Sequence, residues 1–181
     1  MKTLVLAIAI VFAGLPGYAQ FTKADLQATG LTCAMCSNAI YKALQAVPFV
    51  ANVNPDIKNS AFHIEFKKDQ AVEIDALKAA VEDAGFSIGA LKITGKFDGI
   101  RIGEDSHVGI GKDVFHFLNN PGQDLNGEKE LTVVDKDFVT AKQFKKISSS
   151  SRANCLKTGR AAECCVKAGA PAQARVYHVT I

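Results

Sequence analysis

The sequence predicts an α+β fold, in which a βαββαβ unit over residues 22–94 is followed by a small β-rich region over 95–181. Three patterns carry that prediction. Apolar residues alternate at Phe62, Ile64 and Phe66, the two-residue period of a half-buried strand. They recur at helical spacing as Ile40, Leu44 and Val47, and again as Ile74, Leu77, Val81 and Ala84. From Gly95 onward glycines become frequent and apolar runs short, the texture of strands joined by turns.

Taken in order, residues 23–31 read as a strand, with Leu26 and Ala28 alternating against Gln27 and Thr29. A loop leads to a helix over 37–47, which Pro48 ends. Residues 49–53 form a short strand, and the polar run Asn54 to Ser60 turns the chain into a strand over 61–67. There His63 and Glu65 face away from the apolar side. The second helix stops at Gly85, and 86–93 is the last strand of the unit. This order is the ferredoxin-like plan. It places the second strand at a sheet edge, where Pro55 deprives no neighbour of a hydrogen bond. One face of the sheet is left open to water, a natural place for His63 and Glu65.

Beyond Gly95, residues 97–102, 113–118, 130–135 and 174–181 read as strands. Turns are expected at Asn119-Asn120-Pro121-Gly122 and Leu125-Asn126-Gly127. Residues 137–147 alternate, yet Phe144 and Ile147 also lie at helical spacing. Residues 160–167 read as a helix capped by Gly169, with Pro171 beyond it. A five-stranded OB-like barrel is one arrangement of this region, and it would by itself imply no function.

The chain begins with Lys2, an apolar run over 4–14 too short to span a bilayer, and Gly17-Tyr18-Ala19 ahead of Gln20. That is the layout of a cleaved secretory signal. The expected organisation is a signal peptide over 1–19, a first domain over 20–94 and a second over 95–181. The expected product is exported, periplasmic or secreted, without stable membrane insertion once the signal is cleaved. The formal charge of +3 is too mild, and lacks a basic-aromatic stripe, to suggest nucleic acid as a partner. No phosphate loop, paired carboxylates or Ser-His-acid set stands out, so an enzyme is not expected.

The chemistry concentrates in Gly30-Leu31-Thr32-Cys33-Ala34-Met35-Cys36, where a strand meets a helix. Two sulfurs three positions apart can grip one soft ion, and a helix N-terminus favours the thiolate form that binds it. With only two ligands in view, Cu(I) fits first and Hg(II) second, whereas Zn(II) wants four. Met35 as a third, thioether ligand competes with a plain loop side chain, and His63 with an exposed strand residue. A Cys-x-x-Cys pair also serves thiol–disulfide exchange. The redox versions usually sit in a thioredoxin-like setting after a tryptophan, and this chain has no tryptophan. A structural disulfide across so short a loop would gain little.

This segment resembles the heavy-metal-associated domain family of copper chaperones, copper-pump amino-terminal modules and periplasmic mercury-binding proteins. Residues 30–36 follow that family's Gly-Met-Thr-Cys-x-x-Cys loop, with Leu31 where methionine is usual. Ile40 and Leu44 match its helix core, and Glu82-Asp83-Ala84-Gly85-Phe86 matches the end of its second helix. The resemblance covers about 22–94 and leaves 95–181 unrecognised. It implies metal binding by Cys33 and Cys36, support from Thr32, an aromatic cover at Phe86, and a separate protein that donates or accepts the metal.

Cys155, Cys164 and Cys165 remain. One reading is a disulfide from Cys155 to Cys164 or Cys165, which an exported protein can form. The other is a second soft-metal site built on the three sulfurs, suited to Cu(I) or Zn(II), with a histidine able to join them. His107, His116 and His178 lie on or beside strands, where surface or packed histidines are commoner than ligands.

Overall fold

The computed structural model describes residues 20–31, 34–151, 153–167 and 169–181. The expected signal segment 1–19, and Thr32 and Cys33 of the loop, lie outside the described residues, as does the side chain of Cys164. The first unit follows the expected order. It consists of β1 (Gln20–Thr29), α1 (Ala34–Gln45), β2 (Val50–Asp56), β3 (Ala61–Phe66), α2 (Ile74–Asp83) and β4 (Ser87–Ile102). The second half adds β5 (His107–Ile110), β6 (Asp113–Phe117), β7 (Gln123–Val133), α3 (Ala141–Ser150), α4 (Asn154–Thr158), α5 (Glu163–Lys167) and β8 (Val176–Thr180).

The eight strands of the described residues join one sheet in the order β2-β3-β1-β4-β7-β8-β6-β5. As expected, β2 with Pro55 is an edge strand. The α+β class holds, with a ferredoxin-like first unit and a β-rich second part. The OB-like barrel does not appear, because the second-half strands extend the first sheet through β4 and β7 instead of closing on themselves. One core cluster accordingly unites Leu26, Ile40, Phe62 and Leu77 with Phe115, Leu131, Phe138 and Tyr177.

Strand β4 crosses the expected boundary at 94/95 without interruption. Gly95 signals a close approach here and not a turn. A Cβ at that position would stand 2.9 Å from Phe21 Cδ1, so the glycine makes room for a core ring. Gly127, expected in a turn, lies inside β7, where the pairing with β4 shifts register between Phe97 and Ile100. Gly99 and Gly127 both take left-handed φ there, and Gly99 N–H donates to Asn126 Oδ1 at 2.9 Å.

The helices end and begin for local reasons. Gly85, at φ +88°, closes α2 in a Schellman arrangement: its N–H donates to Glu82 O, and Phe86 N–H donates to Val81 O. The ambiguous stretch resolves at Thr140, which forms a capping box with Gln143 and starts α3 at Ala141. Helix α2 is also tied to the second half. Arg175 grips the Asp75 carboxylate with Nε at 2.8 Å and Nη2 at 3.1 Å. Asp75 N–H, one of the first-turn donors a helix leaves unpaired, donates to Tyr177 Oη at 3.2 Å. Among the described residues no helix is long and apolar enough to cross a membrane.

Candidate metal centre

The loop that the sequence singles out is framed from both sides by the sheet. Strand β1 ends beside the start of β4, with Thr29 opposite Ser87 and the Thr29 hydroxyl donating to Ser87 O at 3.2 Å. Gly30 then takes φ +81°, a left-handed conformation that turns the chain off the strand. Leu31, where methionine is usual in the family that the loop resembles, packs against the main core cluster. Because Ser87 pairs with Thr29, Phe86 is held next to the loop, and it too packs against the core.

Helix α1 opens at Ala34, so Cys36 lies in its first turn, half-buried. Ser37 behind it is buried, and Ile40 and Leu44 anchor the helix in the core. Met35 is 82% exposed. A sulfur in the first turn of a helix sits beside unpaired backbone N–H groups, which stabilise negative charge. His63 on β3 hydrogen-bonds Asp25 of β1 on the open face of the sheet, the exposed strand position the alternation predicts.

Of the three distal cysteines, the side chains described are those of Cys155 and Cys165. Cys155 on α4 and Cys165 on α5 are both buried and share a small apolar cluster with Val114, Ala161, Ala170 and Val176. Two histidines stand close to Cys155. His178 Nε2 lies 3.2 Å from its Sγ and His116 Nδ1 lies 3.7 Å away. The Asp135 carboxylate accepts hydrogen bonds from both His178 Nδ1 at 2.7 Å and His178 N–H at 3.0 Å. Burial, reinforced by His107 and His178, pulls the His116 pKa from 6.5 to about 3. Burial and the proximity of His178 also lower that of His107.

Sequence reasoning underrated these histidines. The hairpin that opposes His107 to His116 has a signal, since Gly111-Lys112 sits midway between them. The parallel pairing of β6 with β8, which brings in His178, has none.

A model of the heavy-metal-associated domain family matches residues 25–87. The periplasmic component of the mercuric transport protein of Serratia marcescens is 30% identical over 86 residues, covering 48% of this chain and 93% of that protein. Copper-transporting ATPase 1 of Rhizobium meliloti (strain 1021) is 35% identical over 66 residues, which span 36% of this chain but only 8% of the ATPase. Among solved structures, the N-terminal domain of a potential copper-translocating P-type ATPase from Bacillus subtilis, in its Cu(I)-loaded state, is 30% identical. That likeness covers 38% of this chain and 85% of the domain, with a TM-score of 0.34. The matched segment contains the second half of β1, the loop, both helices, β2 and β3, and the mercuric transport component is matched almost end to end. Through residues 25–87 the chain belongs to the heavy-metal-associated domain family.

Proposed function

We propose that this protein binds a soft metal ion, Cu(I) in the first place, through Cys33 and Cys36, and passes it to or receives it from another protein. The observation that carries the reading is the placement of Cys36. Its sulfur belongs to the first turn of α1, just beyond the left-handed turn at Gly30, in a loop braced by Leu31 and Phe86. Two thiolates at such a point suit an ion that accepts two sulfurs, and a two-coordinate ion leaves room for an incoming thiolate before the outgoing one departs. Two-sulfur coordination therefore supports exchange between proteins over storage or catalysis.

Hg(II) is the second reading, favoured by the mercuric transport relative, and the ligands are the same. Export to the periplasm or beyond is part of the proposal. It rests on the signal-like residues 1–19 and on the periplasmic designation of that relative. Residues 20–94 carry the metal, and 95–181 supply the surface that selects a partner.

The test is an anaerobic titration of reduced protein with Cu(I), Hg(II) and Zn(II), in parallel with an insulin-reduction assay. The proposal expects the tightest binding for Cu(I) or Hg(II), weaker binding of Zn(II) at the loop, and no disulfide-reductase activity. Catalytic turnover of insulin disulfides together with weak Cu(I) binding would replace it with thiol–disulfide exchange.

A further inference from the structure

The second half of the sheet holds a row of histidines that ordinary packing does not explain. His107 on β5 stands opposite His116 on β6, and His116 stands beside His178 on β8. Three adjacent strands thus place imidazoles side by side in register. The rings of His107 and His116 stack with centroids 4.0 Å apart, and those of His116 and His178 are 5.1 Å apart. Helix α4 lays Cys155 against this row. Cys155 and His178 are completely buried and His116 is 3% exposed.

Burying polar rings in this way is costly unless each finds a partner. His178 has Asp135, but the Nε2 atoms of His107 and His116 have no hydrogen-bond partner among the described residues. The nearest carboxylate to His116 Nε2, Asp105 Oδ1, is 3.9 Å away. One ligand atom from each of His107, His116 and Cys155 lies within 4.8 Å of the others, the spread of donors around a single metal ion.

We infer that His107, His116 and Cys155 form a second transition-metal site, of the zinc or copper type, with His178 positioned against the sulfur. The ligand chemistry is mixed imidazole and thiolate, which suits Zn(II) and copper and gives no grip to hard cations such as calcium or magnesium. The outer shell is in place as well. Asp135 accepts a hydrogen bond from His178 Nδ1 and so holds Nε2 toward the sulfur, as outer carboxylates orient histidines at metal sites. When the metal–sulfur bond forms, the Cys155 thiol proton leaves to solvent, and no other covalent change is needed. The ion enters from the β5 edge, where His107 is only half-buried and Asp105 is exposed. The Cys155–His178–Asp135 geometry also resembles an activated nucleophile. Complete burial of Cys155 denies it a substrate, and the His107–His116 pair would be idle in such chemistry.

The site is tested in the Cys33→Ser/Cys36→Ser protein, reduced throughout, so that the first loop contributes nothing. Co(II) is titrated as a spectroscopic probe, followed by competition with Zn(II) and, separately, Cu(I). One equivalent of Co(II) is expected, with thiolate-to-cobalt charge transfer, displaced by Zn(II) or Cu(I); the tighter competitor identifies the ion. His107→Asn, at the half-buried edge, is expected to weaken binding at least tenfold. Asp135→Asn is expected to weaken it about 10–100-fold while leaving the stoichiometry at one. Cys155→Ser should abolish the charge-transfer band. If that variant does not fold, His107→Asn decides, with circular dichroism confirming its fold. Absence of thiolate–cobalt absorption in the reduced protein, unchanged affinity in His107→Asn, or rapid alkylation of Cys155 in the native protein overturns the inference. The titration leaves the Cys33–Cys36 proposal untouched, since that loop is disabled in every sample.

Discussion

Removing Arg175 tests whether the metal-binding unit and the second half of the sheet fold as one body. Arg175 is 18% exposed and makes four hydrogen bonds: two to the Asp75 carboxylate, one to Gly159 O at 3.1 Å and one to Val176 O at 2.6 Å. Its guanidinium also lies 4.0 Å over the Tyr177 ring. A hydrogen bond to a charged group contributes roughly 1.5–3 kcal/mol when dry. Asp75 remains 46% exposed, so water recovers a good part of that on mutation. The two bonds to Asp75 together are then worth about 2 kcal/mol, and the two carbonyls add about 1 more. Arg175→Leu should therefore lose about 2–4 kcal/mol in urea unfolding, and Asp75→Asn about 1–2, because Arg175 keeps its carbonyls and the nearby Asp135 at 3.8 Å. The pH dependence supplies a second signature. Burial tends to raise the Asp75 pKa, but Arg175 and the Tyr177 hydroxyl outweigh it and hold the carboxyl below its ordinary 3.8. A depressed folded-state pKa gives stability that is present above the unfolded value and lost as pH falls through the folded one. Below about pH 4 the native protein should thus lose stability that Asp75→Asn has already lost, and the two curves should converge. If Arg175→Leu and Asp75→Asn both unfold within about 0.5 kcal/mol of the native chain, the ordinary range for surface changes, the clamp between α2 and β8 is not a structural tie.

Other perturbations read the loop and the helix ends. Gly85→Ala should destabilise by about 1 kcal/mol or more in denaturant melts. Beyond its own chain neighbours, no atom of the described residues lies within 4 Å of the added methyl, so that cost is the left-handed backbone alone. Thr140→Ala should cost about 1 kcal/mol through loss of the α3 capping box, and Thr140→Ser should restore most of it. Met35→Ala should leave Cu(I) affinity unchanged in a competition titration, because the side chain points into water; a marked loss would make Met35 a ligand.

The first unit was legible because each element carried a local signal. Ile40 with Leu44, and Phe62 with Ile64 and Phe66, repeat at their own periods and are buried where those periods put them. Gly85 closes α2 where a glycine stop belongs. The second half was harder, since its glycines play two parts. Gly95 and Gly127 look like turn residues, yet one clears space for Phe21 and the other sits in a bulge of a long strand. Helix α4 and strand β5 are too short to show a period. The Cys33–Cys36 loop could be named from its spacing alone. The histidine row could not, because His178 reaches its neighbours through a parallel pairing more than sixty positions away in sequence.

The central claim is that Cys33 and Cys36 hold the ion. The most direct measurement is anaerobic Cu(I) competition against a chelator of known affinity, on the native chain and on Cys33→Ser/Cys36→Ser, with backbone amide shifts followed by NMR. The account predicts that the first Cu(I) equivalent shifts amides of the loop, the first turn of α1 and Phe86, and that the double variant loses this tightest site while keeping its fold. A double variant that binds its first Cu(I) as tightly as the native chain, with the loop amides unmoved, would contradict it.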